Sequence, residues 1–394
     1  MSSRHIDDPR VRADPSDGFS AGVQWFELFN KLRTLPTADR PTLYTVQSVF
    51  VAAVYAIGLG KLSRGFALLA EAITLSIDAG LHRSAEAYDC FDPIEDEVRK
   101  RTFWCVYMWD KQASAAFGRP PLIRLRDCDV PEPAAVDDEY ITGDGVGMQP
   151  PGVDSRISAF IATLRLFVVL ESVVDIPHSY SSGSHGTSFL ARAASVIGTG
   201  RTRKSLRDEE LLLDELVRSL PPYWSHTAET MASENVIRVT QSERLHCLEQ
   251  FIRMLIQRHR FTELVAERTL NGGEGEQTDA EREAMMACHA CAVQLVHAHV
   301  QVAKKGLMTY CKCNPAVLLL KRIFVTSFLA YRRSPCNPPI DAGWKNADCG
   351  ASQLQDRGLA TIGSRVPRGV AVLCWLVASV QWQICLRIAV GRID

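Results

Sequence analysis

One feature constrains this chain more than any other: its apolar residues recur at three- and four-residue spacing. Val46, Val49, Phe50, Ala53 and Ile57 share one helical face, and the pattern stops near Gly58-Leu59-Gly60. Phe66, Leu69, Ala70, Ile73 and Ile77 repeat it, with Gly80 placed for a left-handed cap and Leu81 as the apolar residue behind it. These two segments predict a helical hairpin. A third helix opens on Asp92 as N-cap, Pro93 as first helical residue and Glu95 at the capping-box position. Phe103, Val106, Ala113 and Phe117 give its apolar stripe, with Glu95–Arg99 and Glu97–Arg101 as four-apart ion pairs, and Gly118-Arg119-Pro120-Pro121 ends it.

The period returns at Ile157, Phe160, Ile161, Leu164, Phe167 and Val168. It returns again at Leu211, Leu212, Leu216, Val217 and Leu220 before Pro221-Pro222, and along Leu245 to His259. Cys288, Cys291, Ala292, Leu295 and Val302 mark a further helix, and Ile323, Phe324 and Phe328 one more. No alternating strand pattern competes with them. The expected fold is all-α: antiparallel helical hairpins with loop-rich insertions. Residues 1–40 read as a partly disordered lead-in and 41–332 as the helical domain, with a mobile loop at 177–207. Residues 333–394 read as a divergent tail with one apolar helix, Gly369 to Leu386, taken as a buried helix or a poorly folded tail and not a membrane span.

Composition narrows function. Lys plus Arg is 44 and Asp plus Glu is 45, for a net charge of −1, which excludes binding nucleic acid through bulk positive charge. The 12 cysteines are scattered, and the charged N-terminus has no apolar leader, so reduced thiols are expected. Cys288-x2-Cys291, with Cys311-x-Cys313, His289, His297 and His299, raises zinc, but Cys288 and Cys291 fall on an apolar stripe and read as core thiols. Gly143, Gly145 and Gly147 do not follow a strand and are a loop, not a dinucleotide fingerprint. Ser184-His185 lacks the strand–turn–helix of a hydrolase nucleophile. No catalytic set and no cofactor or metal is expected in this chain. Asp110 is the informative carboxylate. It sits in an apolar stripe and must be paired if buried, with Arg119 as first candidate partner and Arg83 and Arg101 as rivals.

Between Leu43 and Tyr140 the ordered pieces are Val46-Gln47, Ala70-x2-Ile73, Asp78-Ala79-Gly80-Leu81-His82-Arg83 and Glu97-x-Arg99-Lys100-Arg101-Thr102-Phe103-Trp104. Tyr107-Met108-Trp109-Asp110-Lys111, Ser114, Gly118-Arg119-Pro120, Ile123 and Asp127-x-Asp129-Val130-Pro131-x-Pro133 follow. In this order they resemble the middle homology region of fungal transcription factors of the binuclear zinc-cluster, six-cysteine class. The looser segments Leu212–Pro222 and Phe251–Phe261 resemble later parts of the same domain.

The resemblance implies an all-helical regulatory domain of a nuclear RNA polymerase II regulator and no enzyme. It implies contacts with the transcription machinery or related factors, a homodimer, or a small-molecule effector between helices, and no membrane. It singles out Asp110, Lys111, Gly118, Arg119 and Pro120 as the structural or regulatory motif. The family usually has Arg where this chain has Lys111. The zinc of such factors sits in an N-terminal cluster that makes their DNA contact, and no cysteine precedes Cys90 here. These residues alone are therefore expected to lack the DNA-reading module. The rival expectation is a stand-alone helical adaptor or dimerisation partner without DNA binding.

Overall fold

The computed structural model describes residues 8–36, 40–87, 91–175, 206–270 and 278–307. The sequence expectations for 177–205, 308–332 and the tail from 333 lie outside the described residues. Nine α-helices are present among the described residues: α1 Val23–Leu32, α2 Leu43–Gly58, α3 Leu62–Asp78, α4 Pro93–Phe117, α5 Arg156–Val174, α6 Arg207–Arg218, α7 Ala228–Ala232, α8 Val236–Leu270 and α9 Asp279–Lys304. The one sheet described is a two-residue hairpin, β1 Ile141–Thr142 against β2 Gly145–Val146, antiparallel with Ile141 opposite Val146. The fold is all-α, as the periodicity predicts.

Local chemistry sets the helix ends. The Thr42 hydroxyl accepts from the Thr45 amide and starts α2. Gly60, at φ +75°, lets the chain reverse into α3. The two helices pack closely at Gly65, where an added Cβ would stand 2.4 Å from Ile57 Cγ1 and 3.2 Å from the Ala53 carbonyl oxygen. At the end of α3, Gly80 at φ +70° and the Leu81 amide donating to Ser76 O at 2.9 Å form a Schellman cap. Leu81 itself is buried, as the staple requires.

Helix α4 starts as its sequence predicts, the Asp92 carboxylate accepting from the Ile94 and Glu95 amides at 2.9 Å each. Its body differs from an amphipathic stripe. Every residue from Arg101 to Ser114 is buried, so α4 is the central helix and is enclosed on all sides. Charged residues on its far faces hide this from a periodicity count, because each of them is paired inside the protein. Helices α2, α3 and α5 surround it. Helix α5 also packs on α6 and α8, while α8 and α9 form a long antiparallel hairpin. One contiguous core runs from Phe26 in α1 to Ala298 in α9.

Two elements depart from the sequence expectation. Packed structure begins upstream of residue 41: Phe26 is buried, its ring 5.3 Å from that of Tyr55, whose hydroxyl donates to Ala21 O at 2.8 Å. In α6, Leu213 carries the burial, whereas Leu211 and Leu212 are exposed. Among the described residues only α5 is long and apolar enough to cross a membrane, and 67% of it is buried inside the protein.

Candidate functional site

The predicted motif closes around the second half of α4. Asp110 and Lys111 are buried, the lysine completely. Lys111 Nζ donates to Asp110 Oδ2 at 3.0 Å, reaches Glu171 Oε2 of α5 at 3.1 Å, donates to the Ile123 carbonyl, and lies 4.7 Å from the centre of the Tyr107 ring. Asp110 also accepts from the backbone amides of Leu122 at 3.1 Å and Ile123 at 3.0 Å. Glu171 accepts from the Tyr107 hydroxyl at 2.6 Å and from the Leu125 amide at 2.9 Å. One ammonium therefore stands between two carboxylates, and the excess negative charge is met by three amides and a phenol. Arg124, next in the segment, pairs with Asp175.

The partner expected from the sequence is corrected. Asp110 is buried and paired, but with its neighbour Lys111 and not with Arg119. Gly118, at φ +65°, turns the chain so that Arg119 lies over the Phe66 ring, 4.6 Å from its centre. Gly118, Arg119 and Pro120 are all exposed. The rivals are engaged elsewhere: Arg83 with Asp129 at 3.4 Å, and Arg101 with Glu97 at 2.8 Å and with Asp138.

These pairs explain why the motif pieces keep their order. Arg99 donates to Ala79 O at 2.9 Å, tying α4 to the Gly80 turn. The Asp129 carboxylate accepts from the Ser84 amide at 2.9 Å, and the Asp129 amide donates to His82 O. The Ser84 amide and then Arg83 hold the Asp129 carboxyl below its usual range. Trp104 Nε1 donates to Pro131 O at 2.9 Å, and Glu97 accepts from the Ala134 amide. The turn after α3, the length of α4 and the segment from 118 to 134 thus form one interlocked unit.

Chemically the cluster is a clamp. Burial, then the hydrogen bond to Glu171, pushes the Tyr107 phenol far above its usual range, so it stays a neutral donor. Burial, with Asp127 and Glu171 nearby, pushes the Cys128 thiol up to about 11, which leaves it a poor nucleophile near neutrality. Cys288 and Cys291 are half-buried in α9, and burial raises both thiols. Cys311 and Cys313 lie outside the described residues. Sequence reasoning missed Glu171 and Tyr107 as members of the cluster. The signal was present for one of them: Glu171 is a lone carboxylate in the apolar run Leu166 to Val174.

The described residues thus form an all-α domain with the charged Asp110–Lys111–Glu171 cluster turned inward. Residues 21–216 match the fungal specific transcription factor domain, so this region of the chain carries that family's domain. It is 32% identical over 143 residues to the transcriptional activator protein acu-15 of Neurospora crassa, covering 35% of this chain and 15% of that protein. It is 30% identical over 152 residues to an ABC-transporter-regulating transcription factor of Aspergillus oryzae, covering 38% of this chain and 16% of the relative. A transcriptional regulatory protein of Schizosaccharomyces pombe is 35% identical over 94 residues, 23% of this chain and 15% of its own length. The matched stretches are thus a small part of each relative. No solved structure matches the chain.

Proposed function

We propose that this chain acts in the nucleus as the regulatory region of a fungal transcription regulator, changing transcription through protein contacts and catalysing no reaction. The observation that carries this is the family match over residues 21–216. It contains the interlocked unit built on α4 and includes the whole Asp110–Lys111–Glu171 cluster. Relatives named as transcriptional activators and regulators support the same direction of function. DNA contact, in this reading, belongs to a separate zinc-cluster module of the kind the family resemblance implies. Partners are the transcription machinery or related factors.

A tethering assay tests it. The full chain is fused to an unrelated DNA-binding domain and placed upstream of a reporter in yeast. The expected result is a change in reporter output, upward or downward, that is lost when Asp110 and Lys111 are replaced. A well-expressed, folded fusion that leaves the reporter unchanged in both activation and repression formats would overturn the proposal.

A further inference from the structure

The α8–α9 hairpin holds three different metal-binding side chains at one buried point. Glu243 and Cys247 lie one turn apart on α8, and His299 faces them from α9. One atom of each meets the others. Cys247 Sγ is 3.1 Å from Glu243 Oε1, His299 Nδ1 is 3.3 Å from the same oxygen, and Nδ1 is 3.4 Å from the sulfur. Exposure is 1% for Glu243, 0% for Cys247 and 8% for His299, so water does not share this point freely.

We propose that Glu243, Cys247 and His299 form a structural binding site for a zinc-class divalent ion that fastens α8 to α9. Geometry supports it first. Tetrahedral zinc with ordinary sulfur, nitrogen and oxygen bond lengths places its ligand atoms roughly 3.3–3.6 Å apart. The two edges at His299 Nδ1, 3.3 and 3.4 Å, lie within a few tenths of an ångström of this, and the sulfur–oxygen edge, at 3.1 Å, would open by about half an ångström on binding. An ion about 1 Å out of the plane of the three atoms would stand about 2.1–2.2 Å from each of them, close to ordinary zinc–nitrogen and zinc–oxygen lengths and about 0.1–0.2 Å short of zinc–sulfur.

Charge balance supports it second. A thiolate and a carboxylate cancel a divalent charge, and the imidazole binds neutral, so the buried site carries no net charge. Thiolate and imidazole together select a borderline-soft ion over magnesium or calcium. A nucleophilic triad is a poorer fit: Nδ1 alone faces both Glu243 and Cys247, whereas an activated thiol needs base and orienter on opposite ring nitrogens, and the thiol is wholly buried.

Binding releases the thiol proton to solvent and requires the neutral His299 tautomer with its proton on Nε2, so that Nδ1 leaves Leu295 O, now 2.9 Å away, for the ion. The fourth position falls to water. The site departs from the metal-free expectation drawn from sequence because its ligands lie on two helices, with Cys247 and His299 52 positions apart and Glu243 further still from the histidine. No spacing rule for adjacent cysteines could reveal it.

The test uses the full chain, reduced, stripped of metal and kept free of oxygen, and titrated with cobalt(II) as the optical probe. One equivalent is expected to bind tetrahedrally with a thiolate-to-cobalt charge-transfer band, and zinc should displace it. The band should vanish in Cys247→Ser, weaken in Glu243→Gln and His299→Gln, and persist in the double variant Cys288→Ala/Cys291→Ala. Circular dichroism checks that each variant is folded. Should Cys247→Ser unfold, the wild-type band and its survival in the Cys288/Cys291 variant decide alone. The proposal is overturned by a wild-type chain that gives no band, by a band surviving in folded Cys247→Ser, or by one lost with Cys288 and Cys291.

Discussion

Single residues at the α4–α5 contact hold buried charge in balance. Removing one member of a buried charged pair strands the other, and costs about 3–5 kcal/mol. Asp110→Ala leaves Lys111 short of a carboxylate and the Leu122 and Ile123 amides without their acceptor. We expect a loss in that range by chemical denaturation; an unchanged midpoint would mean that Asp110 is not a buried partner. Asp110→Ala/Lys111→Met should cost less than the sum of the two single changes, since the pair is lost together.

A second residue effect depends on pH. His226 stacks on His246 with ring centres 4.3 Å apart, and Glu243, Glu249 and His297 are the charged groups around it. Burial, then repulsion from His246, lowers the His226 pKa from 6.5 to about 4. The unfolded chain therefore binds a proton in this interval that the folded chain refuses. Stability is complete above the unfolded pKa and falls as pH drops from 6.5 towards about 4. His226→Phe keeps an aromatic stack without the titration. Its melting temperature should fall less steeply than that of the wild type across this window, and parallel slopes would refute the assignment.

Among the elements, the α2–α3 hairpin was the most legible and α4 the least. Val46, Val49, Phe50 and Ala53 are all buried where a three-and-four spacing puts them, and the Gly80–Leu81 cap forms as read. In α4 the same logic finds one stripe, because it treats Arg101, Lys111 and Gln112 as solvent-facing. Their burial depends on partners in distant segments, and periodicity carries no information about those. The candidate site was legible to the same extent: that Asp110 must be paired follows from its position, but which cation it takes depends on the turn at Gly118. The close approach at Gly65 is likewise invisible in sequence. There an alanine Cβ would collide with Ile57 Cγ1 at 2.4 Å. Helix propensity favours Ala over Gly by about 1 kcal/mol, but overpacking costs about 1–3 kcal/mol, so Gly65→Ala should be destabilising on balance. A raised melting temperature would show that the hairpin is looser than described.

At the scale of the whole molecule, the charge and the core separate what the domain does from what it leaves to others. A net charge of −1 provides no electrostatic basis for holding a polyanion. The basic run Arg99-Lys100-Arg101 is turned to internal duties, with Arg99 on Ala79 O, Lys100 on Asp96 and Arg101 on Glu97. The purified chain should therefore show no site-selective DNA complex at near-physiological salt. A salt-resistant, sequence-selective shift in a mobility assay would place a DNA-reading element within it.

The central claim is that, within the family-matched region, α2 to α5 form one cooperative unit assembled around α4. Native-state hydrogen exchange reads this directly, since the last amides to exchange report the most stable unit. The amides of Arg101 to Ala116 should exchange last, together with the buried parts of α2 and α5, and α1 should exchange early. Slow exchange in α4 should be lost in Asp110→Ala before the α8–α9 hairpin is affected. Amides in α4 that exchange as fast as those of α1 would contradict the account.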